Sequence, residues 1–330
     1  MNVRVLAPPG KTSSAYHLRL ACPRCRHSFG EVFAPDSLDN SHVVCELCKH
    51  EMHRVNGIWK AILPHRSAYF HDFGENYQKI RSAEGRGSAS SEFYLNLPYK
   101  DLTGANRGQW SIRARTFRCF EREILPRLGA GRQSMDILDL GAGNCWLSYR
   151  LALRGHRPVA VDLMTDARDG LGAAQHFSSN LNGLFPRFQA ELDNLPFAVS
   201  QFDVAVFNAS FHYSEDYQRT LAEALRCVKP GGAIVIADTA WYSSEASGMR
   251  MVAERQAAFA TRFGTASDAI PSLEFLTDER LRTLEEHFRL RWQVHTPFYG
   301  LRWAMRPVIA QLRGKREPST FRIYVAEVKK

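Results

Sequence analysis

Four cysteines stand in two matched pairs, Cys22-Pro-Arg-Cys25 and Cys45-Glu-Leu-Cys48, with nineteen residues between the pairs. Each CxxC turn brings two thiolates within reach of one ion, and two such turns complete the closed tetrahedral set that structural zinc prefers. Two matched pairs without a thioredoxin-like pattern disfavour a redox dithiol; a rubredoxin-type iron site is the other reading of four thiolates. With every position taken by protein sulfur, no coordination site is open for catalysis, so the zinc is assigned a folding role. A second constellation is Asp139-Leu-Gly-Ala-Gly-Asn-Cys145, preceded by Ile137-Leu138 and followed by Trp146-Leu-Ser-Tyr-Arg-Leu-Ala. Gly141 and Gly143, without Cβ atoms, let the backbone turn tightly and let a ligand lie on bare peptide. The helix that follows adds unpaired N–H groups and a positive dipole end. A dinucleotide fingerprint would place a third glycine where Trp146 stands, and an acid two residues before the first glycine suits a cationic ligand better than a pyrophosphate. Asp162 lies 23 residues beyond Asp139 at the carboxyl end of an apolar run, where a carboxylate accepts both hydroxyls of a ribose. In Asn208-Ala-Ser-Phe-His-Tyr213, His212 is the candidate general base, since an unperturbed histidine titrates near about 6.5; Tyr213 and Asn208 are candidate positioning groups.

The elements that must position these groups follow a regular strand and helix alternation from residue 135 onward. Ile137 to Leu140 reads as a buried strand, Trp146 to Arg154 as a helix closed by Gly155, and Pro158 to Leu163 as a second strand. Phe202 to Ala209 is a continuous β-branched run of the kind buried on both faces of a parallel sheet, and it delivers residues 208–213 to the sheet edge where ligands bind in open α/β folds. Tyr217 to Val228 reads as a helix, Lys229-Pro-Gly-Gly232 as a turn and Ala233 to Asp238 as a strand. Further helices are expected within Glu245–Phe263 and Thr277–Phe288, the latter with Thr277 as N-cap and Asp278 and Glu279 in the favourable first turn. Leu290–Val294 and Phe321–Val328 alternate as strands. Upstream, Ser111 to Leu128 has helical spacing, with an end expected just before Pro126.

These motifs together resemble the class I S-adenosylmethionine (SAM) methyltransferases of the methyltransferase-11 type, over about residues 110–330. The resemblance implies a Rossmann-like, doubly wound α/β fold with a seven-stranded sheet whose last strand is inserted antiparallel. It also implies that Asp139, Gly141, Ala142 and Gly143 hold the methionine part of SAM and that Asp162, with Leu163 beside it, holds the ribose. Counting back from Leu195-Pro196-Phe197 places Glu191 and Leu192 at the adenine, with Asp193 one register away, and Asn208 completes the cofactor set. His212 and Tyr213 then face the methyl group. The cysteine pairs followed by Arg54-Val-Asn-Gly-Ile-Trp-Lys-Ala-Ile-Leu-Pro64 resemble the zinc-ribbon proteins of the Trm112-like group, which act as partners of methyltransferases. A zinc ribbon ahead of a methyltransferase domain also occurs in some rRNA guanine methyltransferases, from which Cys45-x-x-Cys48 departs.

The chain of 330 residues exceeds one typical domain, and it divides into an arm at 1–18, a zinc ribbon at 19–64, a linker or lid at 65–110 rich in aromatics, and a methyltransferase domain at 111–330. The start lacks the apolar core of a signal peptide and no apolar stretch is long enough to span a bilayer, so a cytoplasmic protein without a transmembrane segment is expected. The net charge of +9 is uneven. Residues 137–288 carry 13 basic and 19 acidic groups, whereas residues 289–330 carry 10 basic and 2 acidic. Basic flanks attract RNA, an anionic surface or an anionic substrate. The absence of an Asp/Asn-Pro-Pro-Tyr/Phe pattern favours a small-molecule acceptor, with an RNA base methyltransferase as the alternative and a non-catalytic SAM-binding or partner-docking module as a second. The 298–316 segment interleaves apolar and basic residues. Its Trp303, Val308 and Leu312 are expected to pack on the core, and as a functional element it would be an acceptor lip, a membrane contact or an RNA edge.

Overall fold

A computed structural model of the chain describes residues 16–34 and 42–329. The expected arm lies outside the described residues except for its last three, which open a strand. In chain order the elements are β1 (Tyr16–Ala21), β2 (Ser28–Ala34), β3 (His42–Val44), β4 (Glu51–Val55), β5 (Ile58–Lys60), α1 (Pro64–Tyr69), α2 (His71–Ala83), α3 (Ser91–Asn96), α4 (Arg107–Cys119) and α5 (Leu125–Leu128). There follow β6 (Asp136–Leu140), α6 (Trp146–Ala152), β7 (Arg157–Asp162), β8 (Arg187–Gln189), β9 (Phe202–Asn208), α7 (Tyr217–Cys227), β10 (Val228–Ala237), β11 (Ala240–Trp241), α8 (Glu245–Phe263) and α9 (Asp278–Phe288). The chain closes with β12 (Gln293–His295), α10 (Leu301–Ala304), α11 (Arg306–Leu312), β13 (Thr320–Phe321) and β14 (Ile323–Glu327).

Strand residues alternate between two apolar layers because successive side chains leave opposite faces of a sheet. Leu138, Leu140, Ala205, Phe207, Ile234 and Ile236 enter one layer with α7 and α9. Ile137, Val204, Val206 and Val235 enter the other with α4 and α6. The sheet order is β12-β14-β10-β9-β6-β7-β8-β5-β4-β3. Strands β10, β9, β6, β7 and β8 run parallel, and β14 enters antiparallel between β10 and β12. This is the doubly wound arrangement with an antiparallel insertion, but the sheet has ten strands rather than seven. The difference lies at one edge, where β5 pairs parallel with β8 through Trp59 opposite Phe188 and so joins β4 and β3 to the sheet.

The cysteine-bearing segment is therefore knitted into the larger fold. Leu18, Leu20, Met52 and Trp59 belong to the same apolar layer as Phe188 and Phe197, Trp59 stacks on Phe188 at 6.5 Å, and Leu20 bridges to Phe197. Arg26 donates through Nη1 to Glu223 at 2.6 Å and to the Leu195 carbonyl at 3.0 Å.

Three other expectations are corrected. The helix near residue 120 does not stop before Pro126. Its turn at Phe120–Ile124 widens to π geometry, and Pro126 opens the next turn, α5. A proline inside a regular helix lacks its N–H and meets the carbonyl four residues back, and the wider turn relieves both problems. Residues 65–110, expected as a linker with one or two short helices, instead hold α1, α2, α3 and the start of α4. In the 298–316 segment, Trp303 packs on Phe321 and Tyr299, but Val308 is 48% exposed and Leu312 82%. Their helix α11 has no buried residue, so those two side chains form no part of the core.

Candidate active site

The glycine turn after β6 owes its shape to two left-handed glycines, and Cys145, also left-handed at φ 63°, leads from it into α6. Gly141 has φ +74°, and a Cβ there would sit 2.2 Å from the Ser210 Cβ; Ser210 Oγ in turn donates to the Leu140 carbonyl. Gly143, with φ +52°, has open space where a Cβ would point, apart from ordinary contact with the Asp169 carbonyl. This turn, the ends of β7, β9 and β10, and the helices α2, α4 and α8 enclose a cavity of about 470 Å³, within the range of small-molecule sites.

Of the sequence-derived cofactor residues, Asp139, Gly141, Ala142, Gly143, Asp162, Leu163, Leu192 and Asn208 line this cavity, together with His212 and Tyr213. Asp139 is 1% exposed. Its Oδ2 accepts from Ser148 Oγ at 2.7 Å, while Oδ1 is buried without a partner. Burial pushes its carboxyl up to about 7, with Ser148 opposing and the Asp162 charge adding. A cation placed against Oδ1 would satisfy that oxygen and reverse the shift. Asp162 accepts from the Gly143 and Met164 backbone N–H groups, each at 2.8 Å. Each oxygen keeps a lone pair for a ribose hydroxyl, and burial pushes this carboxyl to about 6 despite those bonds. The two carboxylates thus offer acceptors suited to an ammonium and to the hydroxyls of a ribose.

Glu191 lies beside the cavity rather than on its wall, because Arg66 on α1 takes its Oε2 at 2.7 Å, leaving Ala190 and Leu192 on the wall instead. Burial still raises the Glu191 carboxyl against the pull of Arg66. Asp193 also points elsewhere, pairing with Arg219 at 2.8 Å.

His212 lies in a short 3₁₀ turn, Phe211–Tyr213, and its carbonyl accepts from the Glu274 N–H at 2.8 Å. Its Nδ1 is buried without a partner. Burial pulls the imidazole down to about 4; Glu274 opposes this, while Arg255, Arg113 and Arg81 reinforce it. The ring is neutral at physiological pH and a weaker base than an unperturbed histidine. Tyr213 meets Phe73 and Tyr77 edge-on at 6.2 and 6.0 Å.

Sequence reasoning missed several wall residues. Phe73, Tyr77 and Arg81 recur every four residues on one face of α2, a spacing legible in the sequence. Arg81 pairs with Asp169. Arg255 holds Glu274 through both Nη atoms. Arg86 and Arg113 also reach the cavity, and no local sequence signal announces them.

The four cysteines converge away from this cavity. Cys22 Sγ lies 3.5 Å from Cys48 Sγ, and Cys25 Sγ 3.5 Å from Cys45 Sγ; all four sulfurs fall within 4.8 Å of one another. A tetrahedron with metal–sulfur bonds of about 2.3 Å has edges of about 3.8 Å. The two knuckles repeat one geometry, with the Arg26 and Lys49 N–H groups donating to the Cys22 and Cys45 carbonyls and both residues left-handed. None of the seven cysteines forms a disulfide.

A family profile described as methyltransferase domain matches residues 138–236. Malonyl-[acyl-carrier protein] O-methyltransferase of Salmonella typhimurium is 30% identical over 163 residues, 48% of this chain and 53% of that protein. The Buchnera aphidicola protein of the same name is 27% identical over 107 residues, 32% of this chain and 40% of its own length. The chain thus spans about half or less of the curated relatives it matches. Among solved structures, the YcgJ protein from Bacillus subtilis is 14% identical with a TM-score of 0.44, covering 63% of this chain and 97% of its own. A SAM-dependent methyltransferase from Methanosarcina mazei is 17% identical with a TM-score of 0.39, covering 60% and 94%. The matched span begins at Leu138 and ends at Ile236, and so takes in the Asp139 turn, Asp162 and the His212 loop: residues 138–236 are similar to a methyltransferase domain.

Proposed function

We propose that this chain is a SAM-dependent methyltransferase acting on a small-molecule acceptor and carrying a structural zinc. The observation that carries the reading is the buried Asp139 Oδ1, unpartnered on the wall of a cavity floored by Gly141, Ala142 and Gly143. In this reading Asp139 takes the cofactor's ammonium, Asp162 and Leu163 its ribose, and Ala190 and Leu192 the adenine, with Asn208 beside the sulfonium. When bound, SAM supplies an electrophilic methyl group. The chain's own work is to exclude water with Phe73, Tyr77 and Tyr213 and to align a nucleophile in line with the methyl. His212, neutral and buried, orients the acceptor by hydrogen bonding. The names of the relatives, O-methyltransferases of a malonyl group on a carrier protein, support a small acyl-type acceptor.

Residues 19–64 act as a zinc ribbon whose metal holds the two knuckles, residues 65–110 as a lid, and residues 111–330 as the methyltransferase domain. Four convergent thiols at tetrahedral spacing support the metal assignment. Among the described residues no helix is long and apolar enough to cross a membrane.

The test is to bind SAM by calorimetry and then incubate the protein and methyl-labelled SAM with a host extract split into RNA, protein, lipid and small-molecule fractions. Label in the small-molecule fraction is expected. Label in RNA would replace the acceptor assignment, and SAM binding without transfer to any fraction would favour a non-catalytic module.

A further inference from the structure

Helices α10 and α11 turn an apolar side outward. Leu301 is 78% exposed and Leu312 82%, and Met305, Val308 and Ile309 between them are exposed as well. At about 100° per residue these five side chains fall within roughly 100° of one another, whereas the half-buried Trp303, Arg306 and Ala310 point the opposite way. A stripe of this kind marks a contact surface rather than a solvated helix face.

The charge beside the stripe is of one sign. Residues 298–316 include five basic residues and no carboxylate. Arg306 lies over the Trp303 ring at 3.7 Å and Arg316 pairs with Glu254. Arg302, Arg313 and Lys315 are exposed and have no ion pair among the described residues. At the start of α10, a Cβ on Gly300 would lie 2.9 Å from Arg115 Nη1. Arg115 belongs to a second cavity, of about 450 Å³, which also holds Lys100, Arg107 and Arg118. Its lining comes from the face of α4 opposite Gln109, Ile112 and Arg113 of the first cavity. Asp101, the carboxylate of this hollow, spends both oxygens on its own loop, accepting from Thr103 and from the Asn106 N–H. The apolar stripe therefore runs into a basic hollow.

We propose that this face seats the protein on an anionic phospholipid bilayer. Leu301, Met305, Val308 and Leu312 enter the acyl region, while Arg302, Arg313 and Lys315 extend to headgroup level. Lipid phosphates occupy the hollow of Lys100, Arg107, Arg115 and Arg118. RNA phosphates would engage the cations but leave the aliphatic stripe in water. A protein interface carries about one hydrogen bond per 100–200 Å², and apart from Gln311 the outward side is aliphatic. Two copies meeting here would set unanswered cations against one another. A bilayer needs no fixed register and supplies both an apolar layer and anionic phosphates. Trp303 stacks on Phe321, which lines the first cavity, at 5.8 Å, so the seated face borders that cavity.

The experiment sediments the full chain with vesicles of phosphatidylcholine alone and of phosphatidylcholine with phosphatidylglycerol in a two-to-one mixture. Binding to the anionic vesicles, weakened by salt, is expected. Leu301→Glu with Leu312→Glu should weaken it at least about tenfold at unchanged melting temperature, since both side chains are exposed. Each basic residue near an anionic surface is worth about a fivefold factor, so Arg302→Ala, Arg313→Ala and Lys315→Ala together should cost about a hundredfold. Arg107→Ala with Arg118→Ala should weaken anionic binding further. No sedimentation with the anionic vesicles, or sedimentation undiminished by the two glutamates, would overturn the proposal. So would retention on an RNA oligonucleotide in place of vesicles, or a concentration-dependent dimer that the glutamates abolish and vesicles do not compete away. Equal binding to neutral vesicles, or displacement by inorganic phosphate at constant ionic strength, would overturn the headgroup assignment. SAM affinity should be the same in every variant, so the failure of the methyl-transfer reading would leave this result standing.

Discussion

Replacing Asp139 by Asn should separate the stability of the fold from its affinity for cofactor. Asp139 is 1% exposed and its carboxyl is pushed from 3.8 up to about 7, chiefly by burial. The native chain therefore holds a proton that the unfolded chain gives up once pH passes 3.8. Stability from this site is full below that pH and is lost progressively as pH rises to about 7. At about 1.4 kcal/mol per pH unit, the interval amounts to about 4 kcal/mol of destabilisation above neutrality. Asp162, pushed to about 6, acts in the same direction. Asn keeps the shape and an oxygen for the Ser148 hydroxyl but cannot ionise. Urea denaturation of the cofactor-free proteins should show Asp139→Asn gaining on wild type between pH 5 and pH 8. Cofactor binding should behave oppositely. An ammonium favours the ionised carboxylate, so wild-type affinity for SAM should rise from pH 5.5 to 7, below the amino group's own titration near about 8, and calorimetry in buffers of different ionisation enthalpy should detect proton release. The variant should lose both the affinity and its pH dependence. Equal loss of stability by the variant at pH 5 and pH 8, or flat wild-type affinity across that range, would refute the role given to Asp139.

Other consequences can be checked singly. Purified protein should hold close to one zinc per chain, and chelation or Cys45→Ser should lower the melting temperature and loosen β3 to β5 in hydrogen exchange; full stability without metal would remove the structural assignment. On the reading that the ring orients the acceptor, His212→Asn should keep most turnover with cofactor affinity intact; a thousandfold fall in kcat at unchanged SAM affinity would assign it the role of base. Gly248→Ala should destabilise the fold by about 1–3 kcal/mol in denaturant titration, since the added Cβ would lie 2.2 Å from the buried Phe275 ring; a neutral result would mean that α8 shifts freely. Phe188→Ala, removing a ring that is 1% exposed between Trp59 and Phe197, should cost about 3–5 kcal/mol and leave a single calorimetric transition, whereas two separated transitions would show the cysteine segment folding on its own.

What could be read in the sequence was what lies close along the chain. Asp139, Gly141 and Gly143 sit within five residues, so turn, helix start and acid arrive together. The Thr277 cap, whose hydroxyl accepts from the Arg280 N–H at 3.2 Å, depends only on the next turn of helix. Residues set by tertiary contact were not legible. Glu191 has the right local setting for an adenine contact, yet Arg66, 125 residues earlier, claims it. His212 was assigned an ordinary basicity, but desolvation and three arginines from α2, α4 and α8 lower it. The ten-stranded sheet rests on three-residue β5 finding β8, a pairing too short to leave a periodic pattern.

That short pairing also ties the cysteine cluster to the active site. The chain leaves β5 at Lys60 and enters α1 at Pro64, so the register of β5 on β8 fixes where α1 and α2 begin. Ala61 N donates to the Gln189 carbonyl at 2.9 Å, extending the pairing to the residue before Ala190 on the cavity wall. Arg66 then pins α1 to Glu191, and one helix later Phe73, Tyr77 and Arg81 reach over the cavity to Tyr213 and Asp169. A metal that holds the two knuckles would therefore act on the cofactor site through backbone pairing rather than through any ligand contact. Loss of the metal should accordingly weaken SAM binding in proportion to the disorder it causes in α1 and α2, while leaving the Asp139 turn, built within β6 and α6, intact.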